Sequence, residues 1–205
     1  MTSPASSTRE QYKARTRERL LIAARSVFLE KGFVSSSVRD IAEAAGYTRG
    51  AFYSSIGVGA KAALLLELLR RDQQSLSLPE LSDCHIHRAN IESLIAAYCR
   101  HLIRSSDCFP LWAEATLFAR HEPEFRKHFV ALRLEKARRI HSCIARLLQR
   151  ADPRCSIPVE HVTMVVLGLC EGLQLFRLSD RILDADDVVS VVIARYLAQM
   201  PSRHS

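Results

Sequence analysis

The stretch Ser36–Ile56 constrains the fold more than any other part of this sequence, because it encodes two short helices joined by a tight turn. Its first half repeats apolar residues at helical spacing, so one face of the first helix is apolar. These residues are Val38, Ile41, Ala42 and Ala45. Gly46 then predicts a helix end, since glycine adopts the left-handed conformation that a helix C-terminus requires. Thr48 can cap a second helix that Phe52 anchors, so the pattern predicts a helix-turn-helix.

The outward surface of the second helix is small, hydroxyl-rich and basic, and it carries no carboxylate. It consists of Arg49, Gly50, Ala51, Tyr53, Ser54 and Ser55. A surface that meets a phosphate backbone and the edges of bases needs hydrogen-bond donors and no negative charge. We therefore predict that Thr48–Ser55 is a recognition helix for DNA.

The basic charge of the chain is concentrated in residues 1–61. This segment contains ten Lys and Arg against five Asp and Glu, a net +5 of the chain's total of +7. An excess of this kind at a helix-turn-helix is the electrostatic footprint of a nucleic-acid-binding surface. The alternative is an ordinary solvated basic surface, and the motif favours nucleic acid.

A longer pattern extends from Thr16 to Leu69. It reads Thr-Arg-x-x-Leu-Leu-x-Ala-Ala-x-x-x-Phe-x-x-x-Gly-Phe, then Val-x-Asp-Ile-Ala-x-x-Ala-Gly-Tyr-Thr-x-Gly-x-Phe-Tyr. This closely resembles the N-terminal DNA-binding domain of the tetracycline-repressor (TetR) family of bacterial regulators. The resemblance implies a transcriptional regulator, most simply a repressor, which a small-molecule effector releases from its operator. After Leu69 the resemblance is general: a helical, ligand-sensing, dimerising domain.

The resemblance also assigns roles to matching positions. Ser37 and Tyr53 match phosphate-contacting positions, and Thr48 matches the cap of the recognition helix. Base-facing positions are matched by Arg39, Arg49, Gly50, Ala51 and Ser55. Lys61 matches a phosphate-contacting lysine at the start of the fourth helix, but it follows an insertion at 57–60 and comes two residues late. The insertion leaves open whether Lys61 reaches the same phosphate.

The sequence predicts an all-α protein with a three-helix N-terminal helix-turn-helix domain followed by a helical bundle. We expect a disordered tail at 1–10, the helix-turn-helix domain at 11–58 and a ligand-binding and dimerisation domain at 59–201. The first helix is expected at 11–31. Later helices are predicted at 60–76, 89–105, 110–120, 123–149, 158–178 and from about 184 to before Pro201.

The last two predicted helices carry apolar residues on two faces, which is more than one chain can cover. In 158–178 one face is formed by Val162, Val166, Leu169, Leu173 and Phe176, and the other by Met164, Leu167, Leu175 and Leu178. Exposed apolar patches of this size mark an interface. We predict a homodimer contact at Gly168, Gly172, Leu175, Val192 and Tyr196. The alternative for the two glycines is a tight contact inside one subunit.

An effector pocket could be lined by aromatic residues of the C-terminal helices: Phe109, Trp112, Phe118 and Phe129. An ordinary core is the alternative, and it is favoured for each residue taken singly. Glu114 and Glu171 stand out because they lie within otherwise apolar helices. Such an acid orients a ligand, pairs with an arginine or faces solvent.

No motif of an enzyme, a cofactor site or a metal site occurs, so we expect no catalytic residue, no cofactor and no metal. The six cysteines (Cys84, Cys99, Cys108, Cys143, Cys155 and Cys170) are scattered and are expected to be reduced, with a redox sensor as the alternative. The segment 83–87, Asp-Cys-His-Ile-His, has metal-ligating chemistry, but a polar helix junction explains it more simply.

Two other functions compete with an effector-controlled regulator. One is a ligand-independent DNA-organising protein, and the other is a helical enzyme that binds a small molecule. Neither a signal peptide nor a membrane-length apolar run is present, so the sequence favours a cytoplasmic protein.

Overall fold

The computed structural model describes residues 4–57, 59–74, 91–151, 157–179 and 185–199, with side chains for all of these except 4–9, 185 and 186. Within these ranges the regular structure is entirely α-helical. The helices are α1 (Pro4–Lys31), α2 (Val38–Ala44), α3 (Arg49–Ile56), α4 (Ala60–Gln74), α5 (Ile91–Ser105), α6 (Phe109–His121), α7 (Pro123–Ala151), α8 (Val159–Ser179) and α9 (Ala185–Ala198). The predicted fold class is confirmed.

One predicted element is wrong at its start. Helix α1 begins at Pro4 rather than near Gln11, so it extends into the segment 1–10 for which the sequence predicts a disordered tail. Proline is suited to the first turn of a helix, and the residues that follow contain no glycine or further proline. The segment 83–87, which contains Cys84, lies outside the described residues, and so does Cys155.

The helices group into two compact units. The first unit comprises Met1–Asp72 and Cys108–Leu132, and the second comprises Gln73–Asp107 and Arg133–Ser205. The first unit is therefore larger than the segment 11–58 expected from the helix-turn-helix alone. It includes α6 and the start of α7 because their apolar faces join the same core.

In the core of the first unit, the two short helices of the helix-turn-helix pack against longer helices. Phe28 of α1, Ile41 of α2 and Phe52 of α3 are buried together with Leu65 of α4 and Leu111 of α6. Burying one such side chain stabilises the fold by about 1.5–3 kcal/mol. The two short helices depend on this packing, since helices of this length are marginal in isolation.

The core of the second unit is formed where α5 packs against α8 and α9 and is joined by the later part of α7. Cys99, Cys143 and Cys170 are buried there, and Cys108 is buried in the first unit; all four are free thiols. A hydrogen bond from Cys170 Sγ to the Cys99 carbonyl, together with burial, raises the pKa of the Cys170 thiol. A protonated, buried thiol acts as a small apolar side chain.

Helix α8 is long and apolar enough, by length and composition alone, to cross a membrane. One of its faces is buried in the core of the second unit through Val162, Val166 and Leu173. Its middle carries Glu171, which pairs with Arg133 of α7 at 2.9 Å. A core helix of a helical bundle passes the same test, so this helix carries no argument for a membrane.

Candidate nucleic-acid interface

Helix α2 begins with a reciprocal cap. Ser37 Oγ accepts a hydrogen bond from the Asp40 backbone N–H at 3.1 Å, and Asp40 Oδ2 accepts one from the Ser37 N–H at 2.8 Å. Lys31 Nζ lies 2.8 Å from Asp40 Oδ1. Lys31 first, and Ser37 second, hold the pKa of the Asp40 carboxyl well below its usual range. The start of α2 is thereby fixed by groups on both sides of it.

The turn between α2 and α3 uses a left-handed glycine. Gly46 has a φ of +74°, and its N–H donates to the Glu43 carbonyl. The next N–H, of Tyr47, reaches back to the Ala42 carbonyl at 2.8 Å. These two bonds satisfy the last carbonyls of α2 in the pattern of a Schellman motif. The predicted helix end at Gly46 is confirmed.

The predicted recognition helix α3 buries Phe52 completely, packs Ile56 partly against the core and exposes half of its residues. Thr48 Oγ1 accepts from the Ala51 N–H at 3.2 Å, which confirms Thr48 as the N-cap. Phe52 is 0% exposed, whereas the neighbouring Tyr53 is 43% exposed and meets the Phe52 ring edge-on at 5.6 Å. Arg49, Gly50 and Ser54 are exposed, and Ala51 and Ser55 are half-buried.

The two arginines predicted to face bases differ in their surroundings. Arg39 Nε lies 2.7 Å from Glu43 Oε1, one turn along α2, so its guanidinium already has a carboxylate partner. Arg49 has no hydrogen bond or ion pair with any residue in the described part of the chain. Arg49 stands in the first turn of α3 with an exposed side chain, and its contact with a base edge stays a prediction.

Gly50 leaves room above the recognition helix. A Cβ atom built at this position would lie 3.8 Å from Thr48 Oγ1, which is ordinary contact. The fold therefore does not require glycine here. A small residue on the exposed face of a recognition helix allows the helix backbone to approach DNA closely.

Lys61 does not extend into solvent. Its Nζ donates to the Ser36 carbonyl at 2.6 Å and to the Val34 carbonyl at 3.2 Å. The ammonium also lies 4.6 Å from the centre of the Phe33 ring. A contact between Lys61 and a DNA phosphate stays a prediction, and the ammonium would have to leave or share these partners to make it.

The four aromatic residues predicted for an effector pocket lie in the first unit. The Trp112 and Phe129 rings are 5.9 Å apart, and Trp112 Nε1 donates to Asp72 at 2.8 Å. Phe118 meets Phe125 edge-on, and Phe109 is buried. These rings pack on protein, as the alternative of an ordinary core expects, while their role in a pocket stays a prediction.

The residues predicted for a dimer contact differ in exposure, and Tyr196 packs in part against the core of the second unit. Leu175 is 57% exposed and Val192 is 37% exposed, while Gly172 and Tyr196 are half-buried. A Cβ built at Gly168 or at Gly172 would meet no atom of the described residues within 4 Å. Within the described part of the chain, no tight contact explains the two glycines, and their role in a dimer stays a prediction.

Phe176 does not share the burial of the other residues with which the sequence groups it on one face. It is 63% exposed, whereas Val162, Val166 and Leu173 of the same predicted face are buried. Phe176 stands in the last turn of α8, at the edge of that face, and only the centre of the face packs into the core.

Sequence reasoning missed contacts that join distant parts of the first unit. Glu114 of α6 accepts a hydrogen bond from the Val34 N–H at 3.1 Å. Arg71 of α4 forms two bonds to the Glu18 carboxylate of α1, at 2.7 and 2.8 Å. Glu114 stood out as an acid in an apolar helix, but no signal in the sequence indicated its partner.

Comparison with known proteins agrees with this geometry. Residues 20–68 match the family model described as "Bacterial regulatory proteins, tetR family". The chain carries a tetR-family DNA-binding domain. It is a DNA-binding transcriptional regulator, as the sequence predicts. No curated protein matches the sequence.

Solved structures show the same fold over most of the chain. A putative transcriptional regulator from Rhodococcus sp. RHA1 has 19% identity and a TM-score of 0.67, over 90% of this chain and 95% of its own. The TetR family regulator PfmR from Thermus thermophilus has 20% identity and a TM-score of 0.56, over 89% and 99%. A putative transcriptional regulator from Saccharomonospora viridis, in complex with choline, has 15% identity and a TM-score of 0.64, over 91% and 97%.

Proposed function

We propose that this tetR-family protein is a sequence-specific repressor that a small-molecule effector releases from its operator. The observation that carries the proposal is the exposed face of α3, which contains no carboxylate and holds Arg49 without a partner among the described residues. This face suits direct reading of bases in the major groove. Tyr53 is exposed beside it and can donate its hydroxyl to a phosphate.

The proposal includes a two-fold homodimer. Met164 and Leu175 on α8 are each more than half exposed and lie one turn from Gly168 and Gly172, whose surfaces are open; Val191 on α9 is also more than half exposed. Apolar side chains around open helix backbone favour a close contact with the same helices of a second copy. Such a dimer would present its recognition helices to half-sites about 34–36 Å apart, or a multiple of that.

An effector site is supported by one buried polar side chain of the second unit. Gln73 is 1% exposed, and neither atom of its amide has a hydrogen-bond partner in the described part of the chain. Burying an unpaired polar group costs about 1–3 kcal/mol, which a polar ligand can offset. The choline complex of the Saccharomonospora regulator shows that a protein of this fold holds a small organic molecule.

A DNA-organising protein is the main alternative, and one experiment separates the two. DNA bound by the purified protein would be selected from a random library, and the recovered site would be tested against a large excess of random DNA. A sequence-specific regulator keeps its site at competitor levels that remove a general DNA-binding protein, since specific binding is typically ~10³–10⁷-fold tighter. Recovery of no common site would overturn the proposal.

The proposed regulator works in the cytoplasm, where the bacterial chromosome is accessible to it. It needs no cofactor and catalyses no reaction. Saturable, stoichiometric uptake of effector without turnover is the expected behaviour, and turnover of a bound compound would favour the enzyme alternative instead.

A further inference from the structure

The loop between α1 and α2, residues 32–37, is held from two sides by charged groups. From α6, Glu114 Oε2 accepts a hydrogen bond from the Val34 N–H at 3.1 Å. From α4, Lys61 Nζ donates to the carbonyls of Val34 and Ser36 at 3.2 and 2.6 Å. The loop ends at Ser37, which caps α2, so these contacts hold the segment that leads into the helix-turn-helix.

Gly32 provides the space for the Glu114 carboxylate. Its φ of +82° lies in the region that favours glycine. A Cβ built on Gly32 would lie 3.3 Å from Glu114 Oε1 and 3.5 Å from Oε2, so the carboxylate would have to shift by a few tenths of an ångström. The carboxylate therefore rests against bare backbone and bonds to an N–H two residues later. The Glu114 carboxylate thus both packs on Gly32 and bonds to the Val34 N–H.

The Phe33 ring of the loop contacts Lys61 and two aromatic side chains. Its ring meets the ring of Phe28 edge-on at 5.3 Å and the ring of Phe118 at 5.0 Å, and Lys61 Nζ lies 4.6 Å from its centre. Phe118 follows Glu114 by one turn of α6, so the two side chains lie on the same face of that helix. Helix α6 thus contacts the loop with one charged and one aromatic side chain.

Two carboxylates of the first unit, Glu114 and Asp40, act on the charge of Lys61. Burial lowers the pKa of Lys61, and the negative charges of Glu114 and Asp40 act in the opposite direction. Two of the three donors of the ammonium are used by backbone carbonyls. Hydrogen bonds that involve a charged group are the stronger kind, so both Glu114 and Lys61 hold the loop firmly.

We propose that Glu114 and Lys61 form a loop anchor that positions the helix-turn-helix, and that Lys61 supports operator binding through this anchor rather than through a phosphate. Glu114, which lies outside the DNA-contacting helices, is then a positioning residue for DNA binding. The operator part of this inference rests on the proposed function. The anchor itself can be measured without DNA.

The dependence of affinity on salt separates a positioning role from a phosphate contact. A side chain that neutralises one phosphate contributes about 0.9 to the slope of log K against log salt concentration. Lys61→Met keeps the apolar stem and removes the charge and the donors. We expect it to weaken binding to the selected operator about tenfold or more, while the slope stays that of the parent. A slope lower by about 0.9 would show a phosphate contact and overturn the inference.

Hydrogen exchange of the loop amides in the free protein tests the other half of the anchor. Glu114→Ala removes the acceptor of Val34, so exchange across 33–37 should become faster and operator affinity should fall. Glu114→Gln keeps an oxygen acceptor and should restore much of the protection. The matched control is Glu122→Ala, which makes the same charge change at the exposed end of α6.

Unchanged exchange across 33–37 in Glu114→Ala would overturn the anchor, whatever happens to DNA binding. A parent protein that selects no common site would instead remove the proposed function and leave the exchange result standing. Lys61→Gln, which retains a donor on a shorter stem, replaces Lys61→Met if that variant does not fold. The double variant Lys61→Met with Glu114→Ala should weaken binding by less than the sum of the single effects, because both act on one loop.

Discussion

Replacing a glycine of α8 should change subunit stability and dimer affinity in opposite directions. A Cβ at Gly172 meets no atom of the described residues within 4 Å, so Gly172→Ala adds a methyl group to open space. A glycine in a helix interior costs about 1 kcal/mol relative to alanine. The isolated subunit should therefore become more stable by about 1 kcal/mol.

The dimer should become weaker if α8 packs closely against its copy. Overpacking a close contact costs about 1–3 kcal/mol per site, and a two-fold interface contains each site twice. The expected loss of about 2–6 kcal/mol corresponds to a dimer Kd raised roughly 30-fold or more. Gly172→Leu should split the dimer altogether and abolish operator binding at the same time.

Sedimentation velocity over a range of protein concentrations measures the dimer Kd, and urea unfolding below that Kd measures the stability of the subunit. Gly50→Ala is the matched control, because it adds the same methyl group to a helix where a Cβ makes only ordinary contact. It should leave the dimer Kd unchanged. If Gly172→Leu sediments as a stable dimer and still binds the operator, the interface lies elsewhere and the reasoning from the open glycines is refuted.

Three further predictions concern the helix-turn-helix. Arg49→Ala should cost about 1–3 kcal/mol on the operator and relax the preference at one base pair, measured by competition with single-base operator variants; equal losses on operator and random DNA would show a phosphate contact only. Tyr53→Phe should weaken binding to all DNA sequences similarly at matched salt and leave thermal unfolding unchanged, and unchanged binding would remove its phosphate role. The lowered pKa of Asp40 means that its ionised form is favoured in the folded state, so its contribution to the free energy of unfolding is present above about pH 4 and is lost as the pH falls through the lowered pKa. Urea unfolding of Asp40→Asn should therefore show a deficit against the parent that is constant from about pH 5 to 8 and narrows at lower pH; a deficit that does not narrow contradicts this assignment.

The helix-turn-helix could be predicted closely because its signals are local. The Ser37 cap, the left-handed Gly46 and the Thr48 cap each act on backbone groups within five residues of themselves. Such interactions depend on the types of neighbouring residues, and packing elsewhere in the chain does not alter them. The start of α1 could not be placed in this way, since a capable helix sequence near a terminus gives no sharp signal for order.

The contacts of α6 could not be predicted from local signals either. Helical spacing places Phe118 on one apolar face with Leu111, seven residues before it, but a ligand pocket and a protein core produce the same spacing. The partner of Glu114 is 80 positions away in the sequence, and the choice depends on the tertiary fold. The sequence therefore identified Glu114 as unusual without revealing that it holds the loop before α2.

The distribution of paired charges changes the meaning of the basic N-terminal segment. Lys31 pairs with Asp40, and Arg39 pairs with Glu43. The Lys61 ammonium donates hydrogen bonds to backbone carbonyls. A count of charged residues alone would assign all three cations to DNA binding. Because ion pairs at the surface offset one another at short range, α2 contributes little net attraction to a phosphate backbone. We expect the attraction to come from Arg49 of α3 and from exposed arginines of α1, so we predict that α1 meets DNA beside the recognition helix.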